Sequence, residues 1–268
     1  MATTGLPRQK CAVTVLGGPT TVIDIGGLRI VSDPTFDPPG PQGYLTKTIG
    51  PAVNEQSVDP VDLVLVSHDL HPDNLDASGR AFATSAPLLL TGPLAAARLG
   101  APAVGLAPWT THTVRRRDGE GDLTVLAVPA VHGPEDGERD ADGNVNCEVT
   151  GFVLSGEGLP TLYVSGDNAS IRAVAEVSRR VPDVSVALLH AGAARVPAKF
   201  EGRPLSMDSG RTASAAAILG ADIVIPAHYD GWTHFSEGLA ELELAFKEAG
   251  LSSLLHAPAH GSWVHLGS

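Results

Sequence analysis

Short β-branched runs separated by turn residues fill the first third of the chain. Ala12–Leu16, Thr21–Ile25 and Leu28–Ser32 read as strands, and Gly26-Gly27 between the last two marks a hairpin. Asp33 to Val58 is rich in Pro and Gly and keeps no sustained period, which predicts a long loop over one face, a common setting for a lid. Leu63–Val66 is a continuous apolar run, as in a strand buried on both faces. Further strands are expected at Ala86–Thr91, Thr111–Arg115, Leu123–Ala130, Thr150–Leu154, Leu162–Ser165, Val184–Leu189 and Ile223–Ile225.

Helical periods are fewer and sharper. Pro93–Leu99 is a short Ala-rich helix closed by Gly100, and between Asn168 and Arg180 the apolar positions Ile171, Val174, Ala175 and Val177 share one face, with Ser170 available as cap. Two more helices are expected over Ser206–Leu219, stopped by Gly220, and Glu237–Ala249, stopped by Gly250. Strands crowd the first half, whereas strand and helix alternate in the second. That order predicts an α/β fold, two sheets covered outside by helices in a four-layer αββα sandwich. With 268 residues and 43% apolar content, one large core in a single domain over residues 1–268 is the simplest arrangement.

The pattern changes abruptly after Val66, where the chain reads Ser67-His68-Asp69-Leu70-His71-Pro72-Asp73-Asn74-Leu75-Asp76. Two imidazoles and several carboxylates in one short loop are costly unless a metal ion or a web of hydrogen bonds uses them. His132, Asp167 and His228 each follow an apolar strand in the same way. Loops leaving a shared sheet edge converge, so residues distant in sequence can meet there. A nitrogen and oxygen donor set suits Zn²⁺, Mn²⁺ or Fe better than Ca²⁺ or Mg²⁺.

These motifs, in this order, resemble the metallo-β-lactamase superfamily over nearly the whole chain, and within it the L-ascorbate-6-phosphate lactonase-like branch. Thr21–Pro34 is similar to the opening hairpin of that family, Ala130-Val131-His132-Gly133 to its central histidine motif, Ser165-Gly166-Asp167 to the bridging aspartate, and Ile225-Pro226-Ala227-His228-Tyr229 to its last histidine. The departure is in the loop after Val66, where the family has His-x-His-x-Asp-His. Here Leu70 is extra and Asn74 stands where the last histidine would be. The resemblance implies that His68, His71 and His132 hold metal one, that Asp167 bridges, and that Asp73 and His228 hold metal two. Asn74 is then a weak ligand or an orienting amide, so metal two is expected to bind less tightly or to be a harder ion. One or two Zn²⁺ ions are expected, with Mn²⁺ or Fe as alternatives.

The activity implied is metal-dependent hydrolysis. A metal held by neutral imidazoles lowers the pKa of bound water toward about 7, and the resulting hydroxide would attack a lactone, ester, amide or phosphoester of a small molecule. Asp73 and Asp167 would orient the water and move its proton, while Tyr229 or His234, in the aromatic segment Tyr229–Phe235, could orient substrate or steady an oxyanion. Asp33 is a candidate acceptor for a ligating histidine, and His190 either a pocket residue or a satisfied near-core histidine. Arg195 or Lys199 could hold an anionic group, His260 could belong to a C-terminal pocket, and His112, His256 and His265 read as structural.

Composition narrows the rivals. A formal charge of -12, from 18 Lys and Arg against 30 Asp and Glu, disfavours nucleic-acid binding and so a nuclease or phosphodiesterase of the same fold. Arg115-Arg116-Arg117 is better read as the solvated end of a strand. A degenerate binding protein without turnover is the remaining alternative, against which the retained His132, Asp167 and His228 argue. Cys11 and Cys147 form no CxxC and read as small buried hydrophobes. No apolar run approaches the roughly 18 residues of a membrane span and no signal-like segment opens the chain, so a cytoplasmic protein is expected.

Overall fold

The computed structural model describes residues 5–267. Strands β1 (Ala12–Gly17), β2 (Thr20–Ile25) and β3 (Leu28–Ser32) form an antiparallel meander, and both residues of the Gly26-Gly27 turn have positive φ, as a tight hairpin of matching twist requires. Beyond β3 the sheet turns parallel through β6 (Leu63–Leu65), β7 (Leu89–Thr91) and β8 (Ala103–Gly105). Helices α2 (Ala77–Ser85) and α3 (Pro93–Leu99) make the last two of the three crossovers, and β15 (Val264–His265) closes the other edge against β1.

A second sheet is built from β9 (Thr111–Arg115), β10 (Asp122–Pro129), β11 (Thr150–Ser155), β12 (Thr161–Val164), β13 (Val184–His190) and β14 (Ile223–Ala227). Its order is β14-β13-β12-β11-β10-β9. The first four are antiparallel neighbours, and the last two run parallel to β12 through α4 (Ile171–Arg180) and α5 (Ser209–Leu219). Alternate side chains of the two sheets, among them Val13, Ile23, Ile30 and Leu63 from the first and Val125, Phe152, Leu162 and Leu188 from the second, form the central core. The opposite faces pack under helices: Val22, Val31 and Val64 with Phe82 of α2, and Tyr163, Ala187 and Val224 with α4, α5 and α6 (Leu239–Glu248). The αββα sandwich expected from the sequence is therefore the fold.

Several elements were absent from the sequence pattern. The loop expected over Asp33–Val58 contains a hairpin, β4 (Gly40–Gln42) with β5 (Leu45–Lys47), and one helical turn, α1 (Glu55–Val58). The hairpin is fixed from outside: Thr48 N–H donates to Gly231 O (2.7 Å), Thr233 N–H to Thr46 O (3.1 Å), and buried Lys47 Nζ to Thr35 O (2.9 Å) and Asp76 Oδ2 (3.1 Å). Such pairing between distant segments leaves no local signal. Helix α2 lacks a clean period and carries an internal glycine, yet Asp76 caps it by accepting from Gly79 N–H, and the same carboxylate also accepts from Phe36 and Asp37 N–H.

Gly79 is where α2 touches the strand-end loop. A Cβ there would sit 1.8 Å from the Pro34 carbonyl oxygen. Alanine gains about 1 kcal/mol over glycine inside a helix, whereas overpacking against backbone costs about 1–3 kcal/mol. Gly79→Ala is therefore expected to lower stability to denaturant, and a gain of about 1 kcal/mol would contradict this packing.

Candidate metal centre

Strand ends and the loops that leave them at one edge of the two sheets carry the titratable groups of the site. Ser67–Asp76 leaves β6 and is pinned by Asp33, whose Oδ1 accepts the Ser67 N–H at 2.6 Å, and by a turn in which Asn74 and Leu75 N–H donate to His71 O. The carboxylates of this loop divide by task. Asp69 faces Arg98, accepting from Nε and Nη2 at 2.5–3.1 Å, and Asp76 caps α2, so both are structural. Only Asp73 reaches the other strand ends.

Three imidazoles meet first. His68 Nε2 lies 2.9 Å and His132 Nε2 3.1 Å from His71 Nδ1, and the three ring centres are 4.9–5.0 Å apart. His132 Nδ1 donates to the Leu205 carbonyl at 2.8 Å, which fixes its tautomer and leaves the Nε2 lone pair facing the cluster. Burial, reinforced by the neighbouring imidazoles, holds His68 well below the ordinary histidine range and His71 down at about 4. Burial also lowers His132. The trio is neutral, the state a metal requires.

The second group surrounds Asp73 and Asp167. His228 Nε2 is 3.1 Å from Asp73 Oδ2 and 3.3 Å from Asp167 Oδ1, and His234 Nε2 is 2.9 Å from the same Asp73 oxygen. His190 Nδ1 is 2.8 Å from Asp167 Oδ1 with its ring stacked on His228, while Asn74 Nδ2 donates to Asp167 Oδ1 at 3.3 Å. Burial pushes both carboxyls up, but the bonds from His228 and His234 to Asp73, and the charge of His228 with the bond from His190 to Asp167, outweigh it and keep both well below the usual range. His228 would be depressed by burial, yet the two carboxylates raise it. Its backbone is in the left-handed region (φ 57°), held by a His228 N–H to Gly18 O bond of 2.7 Å, and Gly192 packs so closely that a Cβ would lie 2.2 Å from His228 O.

Seven of the residues singled out in the sequence thus come together: His68, His71, Asp73, Asn74, His132, Asp167 and His228, with His234 beside them. Tyr229 does not join them; its side chain packs against the apolar cluster under the outer helices, because it alternates away from His228 at the strand end. His190, read as near-core or pocket, is fully buried and holds Asp167, and Asp33 supports the loop backbone, with Oδ2 3.7 Å from His190 Nε2. Arg195 is committed to Ser236 Oγ and Gly202 O, whereas Lys199 reaches the site's mouth. His260 pairs with Asp230 at 3.1 Å, outside both clusters. Cys147, read as a plain hydrophobe, places its thiol among His68, His71 and His132, all four donor atoms lying within 4.8 Å of one another. No spacing motif announces it.

A slot lined by Tyr44, His71, Asp73, His132, Lys199 and His234 leads to the centre and opens into a groove of about 400 Å³ between the β4–β5 hairpin and the Val196–Pro197 and Thr233–Ser236 segments.

The sequence matches the beta-lactamase superfamily domain over residues 28–229, three-quarters of the chain. The chain belongs to the metallo-β-lactamase superfamily. It is 31% identical over 206 residues to a UPF0173 metal-dependent hydrolase of Methanosphaerula palustris, covering 75% of this chain and 83% of that one. The fold is shared with an isothiocyanate hydrolase from Delia radicum gut bacteria (TM-score 0.78, 20% identity, 94% and 98% of the two chains). It is shared also with a possible metal-dependent hydrolase from Veillonella parvula (0.80, 15%, 96% and 100%). Metal ions, implied by this superfamily, fit the residues present: Asp73 Oδ1, Asp167 Oδ2 and Asn74 Oδ1 are buried without hydrogen-bond partners beside neutral imidazoles.

His71 gives the pH dependence a sign. Its folded pKa of about 4 lies below the unfolded value of about 6.5, so the unfolded chain takes the proton first. The stability that neutral His71 contributes is whole above about pH 6.5 and is lost as pH falls toward 4. In metal-free protein the His71 ring resonances are expected to stay fixed from pH 8 to about 5.5, and a midpoint near 6.5 would contradict the buried, neutral trio.

Proposed function

We propose that this chain is a metal-dependent hydrolase of small molecules, with His68, His71 and His132 holding one ion and Asp73, Asp167 and His228 a second. The observation that carries this reading is the pairing of three neutral imidazoles with two ionised, partly unpartnered carboxylates at the base of a narrow slot. When bound, ions held there would supply Lewis acidity that makes hydroxide available at neutral pH and polarises a carbonyl or phosphoryl oxygen. Zn²⁺ suits the imidazole trio, and Mn²⁺ or Fe the oxygen-richer group.

The protein's own groups do the rest. Asp73 lines the slot and keeps Oδ1 free, so it orients the attacking water and takes its proton. Asn74 steadies Asp167 through its amide N–H. Lys199 Nζ, held by Asn146 Oδ1 at 2.7 Å, stands at the mouth where an anionic substituent of the substrate would lie. The slot's narrowness favours a small ester or lactone, and Tyr44, edge-on to His71, covers one side. The lactonase-like resemblance puts lactones first among the bonds to test, followed by esters, amides and phosphoesters. Among the described residues no helix is long and apolar enough to cross a membrane.

Protein purified without chelator is expected to carry metal and to hydrolyse at least one member of that panel. Less than about 0.1 metal per chain, with no gain on reconstitution, would sink the proposal. His68→Ala is expected to lose the first ion and to slow turnover by about 100-fold or more, the kinetic equivalent of roughly 3 kcal/mol of metal assistance. Undiminished turnover in that variant overturns the assignment.

A further inference from the structure

We propose that His234 supplies the imidazole that position 74 lacks, ligating the second ion together with Asp73, Asp167 and His228. The inference rests on the hydrolase reading of the same site and gives that site a donor set of its own.

Asp73 Oδ2 is met by two imidazole nitrogens, His228 Nε2 at 3.1 Å and His234 Nε2 at 2.9 Å, and His228 Nε2 is in turn 3.3 Å from Asp167 Oδ1. Donors that share one ion at 2.0–2.1 Å in a tetrahedron stand roughly 3.3 Å apart. The spacings match that edge as well as the 2.9 and 3.1 Å of the histidine trio do.

Asn74 is poorly suited to the task. Its Nδ2, which has no lone pair to give, is turned to Asp167 Oδ1, and the Oδ1 left free is an amide oxygen, a poorer ligand for these ions than imidazole. His234 meets the opposite conditions. Its side chain is 9% exposed, its Nδ1 has no partner, and its ring packs on Phe235 with centres 4.6 Å apart. The backbone on both sides is fixed: Arg195 N–H donates to His234 O at 2.9 Å, Thr233 N–H is tied to the β4–β5 hairpin, and neighbouring Trp232 is buried. An imidazole on so constrained a loop has surrendered its freedom before any ion arrives.

The second position, with two carboxylates beside its two imidazoles, is richer in oxygen than the trio and suits Mn²⁺ or Fe as well as Zn²⁺.

The rival role for His234 is to donate a hydrogen bond that merely steers Asp73. Glutamine keeps a donor but is a poor ligand, so His234→Gln separates the two. Metal-free full-length protein is titrated with Mn²⁺ against a competing chelator, and bound metal is counted. Wild type is expected to bind two ions. His234→Ala and His234→Gln should each weaken the second ion by at least about ten-fold and leave the first within about three-fold. Asn74→His alone should change the second affinity by less than about three-fold but restore most of it in the His234→Ala background, because only one imidazole is needed. Wild-type affinity in His234→Gln overturns the inference, as does an equal gain from Asn74→His in both backgrounds. If the Asn74→His chains do not fold, the His234→Gln titration still decides. A wild-type chain that binds no metal overturns the hydrolase reading itself, whereas two ions bound equally well without His234 overturn this inference alone.

Discussion

Lone pairs pressed together away from water govern this molecule. His68, His228, Asp167 and Asn74 have no measurable exposure, and Asp73 and His132 have 3% each, yet several of their oxygens lack partners. Taking an unpaired carboxylate out of water costs several kcal/mol, and only a cation or a full set of donors offsets it. The rest of the structure is arranged to keep these groups from relaxing apart. Asp33 and His228 are both held at positive φ, a strain of order 1–3 kcal/mol each. The Leu205 carbonyl fixes the His132 tautomer, and Gly192 gives the His228 backbone the room it needs. The αββα sandwich supplies the rigidity, since β6, β10, β12, β13 and β14 are all anchored in the inter-sheet core and all deliver their end residues to one edge.

Much of this was legible in the sequence where a strong local period existed. The apolar runs that end at His68, His132, Asp167 and His228 became strand ends as read, and the helix with Ile171, Val174 and Val177 on one face formed over Ile171–Arg180 with Ser170 as its cap. What the pattern missed depends on contacts between distant segments. The β4–β5 hairpin needs the loop at Gly231–Thr233, and α2 needs Asp76, Pro34 and Phe36 more than it needs its own propensity. Side-chain direction was also hidden: Tyr229 follows His228 directly but points to the opposite layer, and Cys147 comes from a long irregular loop to join the histidine trio.

Electrostatics separates the two halves of the centre. The trio is kept neutral by burial among like groups, whereas Asp73 and Asp167 stay ionised because imidazoles repay their desolvation. An imidazole position with the Cys147 thiol beside it, next to a harder, oxygen-rich one, follows from that division. On the proposal that His234 ligates the second ion, Asn74 need not act as a ligand, because the imidazole comes from the loop that the β4–β5 hairpin holds in place.

Anomalous diffraction from crystals of the full chain soaked in Mn²⁺ tests this account most directly. Two peaks are expected, one among the ring nitrogens of His68, His71 and His132 and one between the carboxylates of Asp73 and Asp167. Crystals that diffract well but show no ordered metal at either position would contradict the central claim that these buried lone pairs are a metal centre.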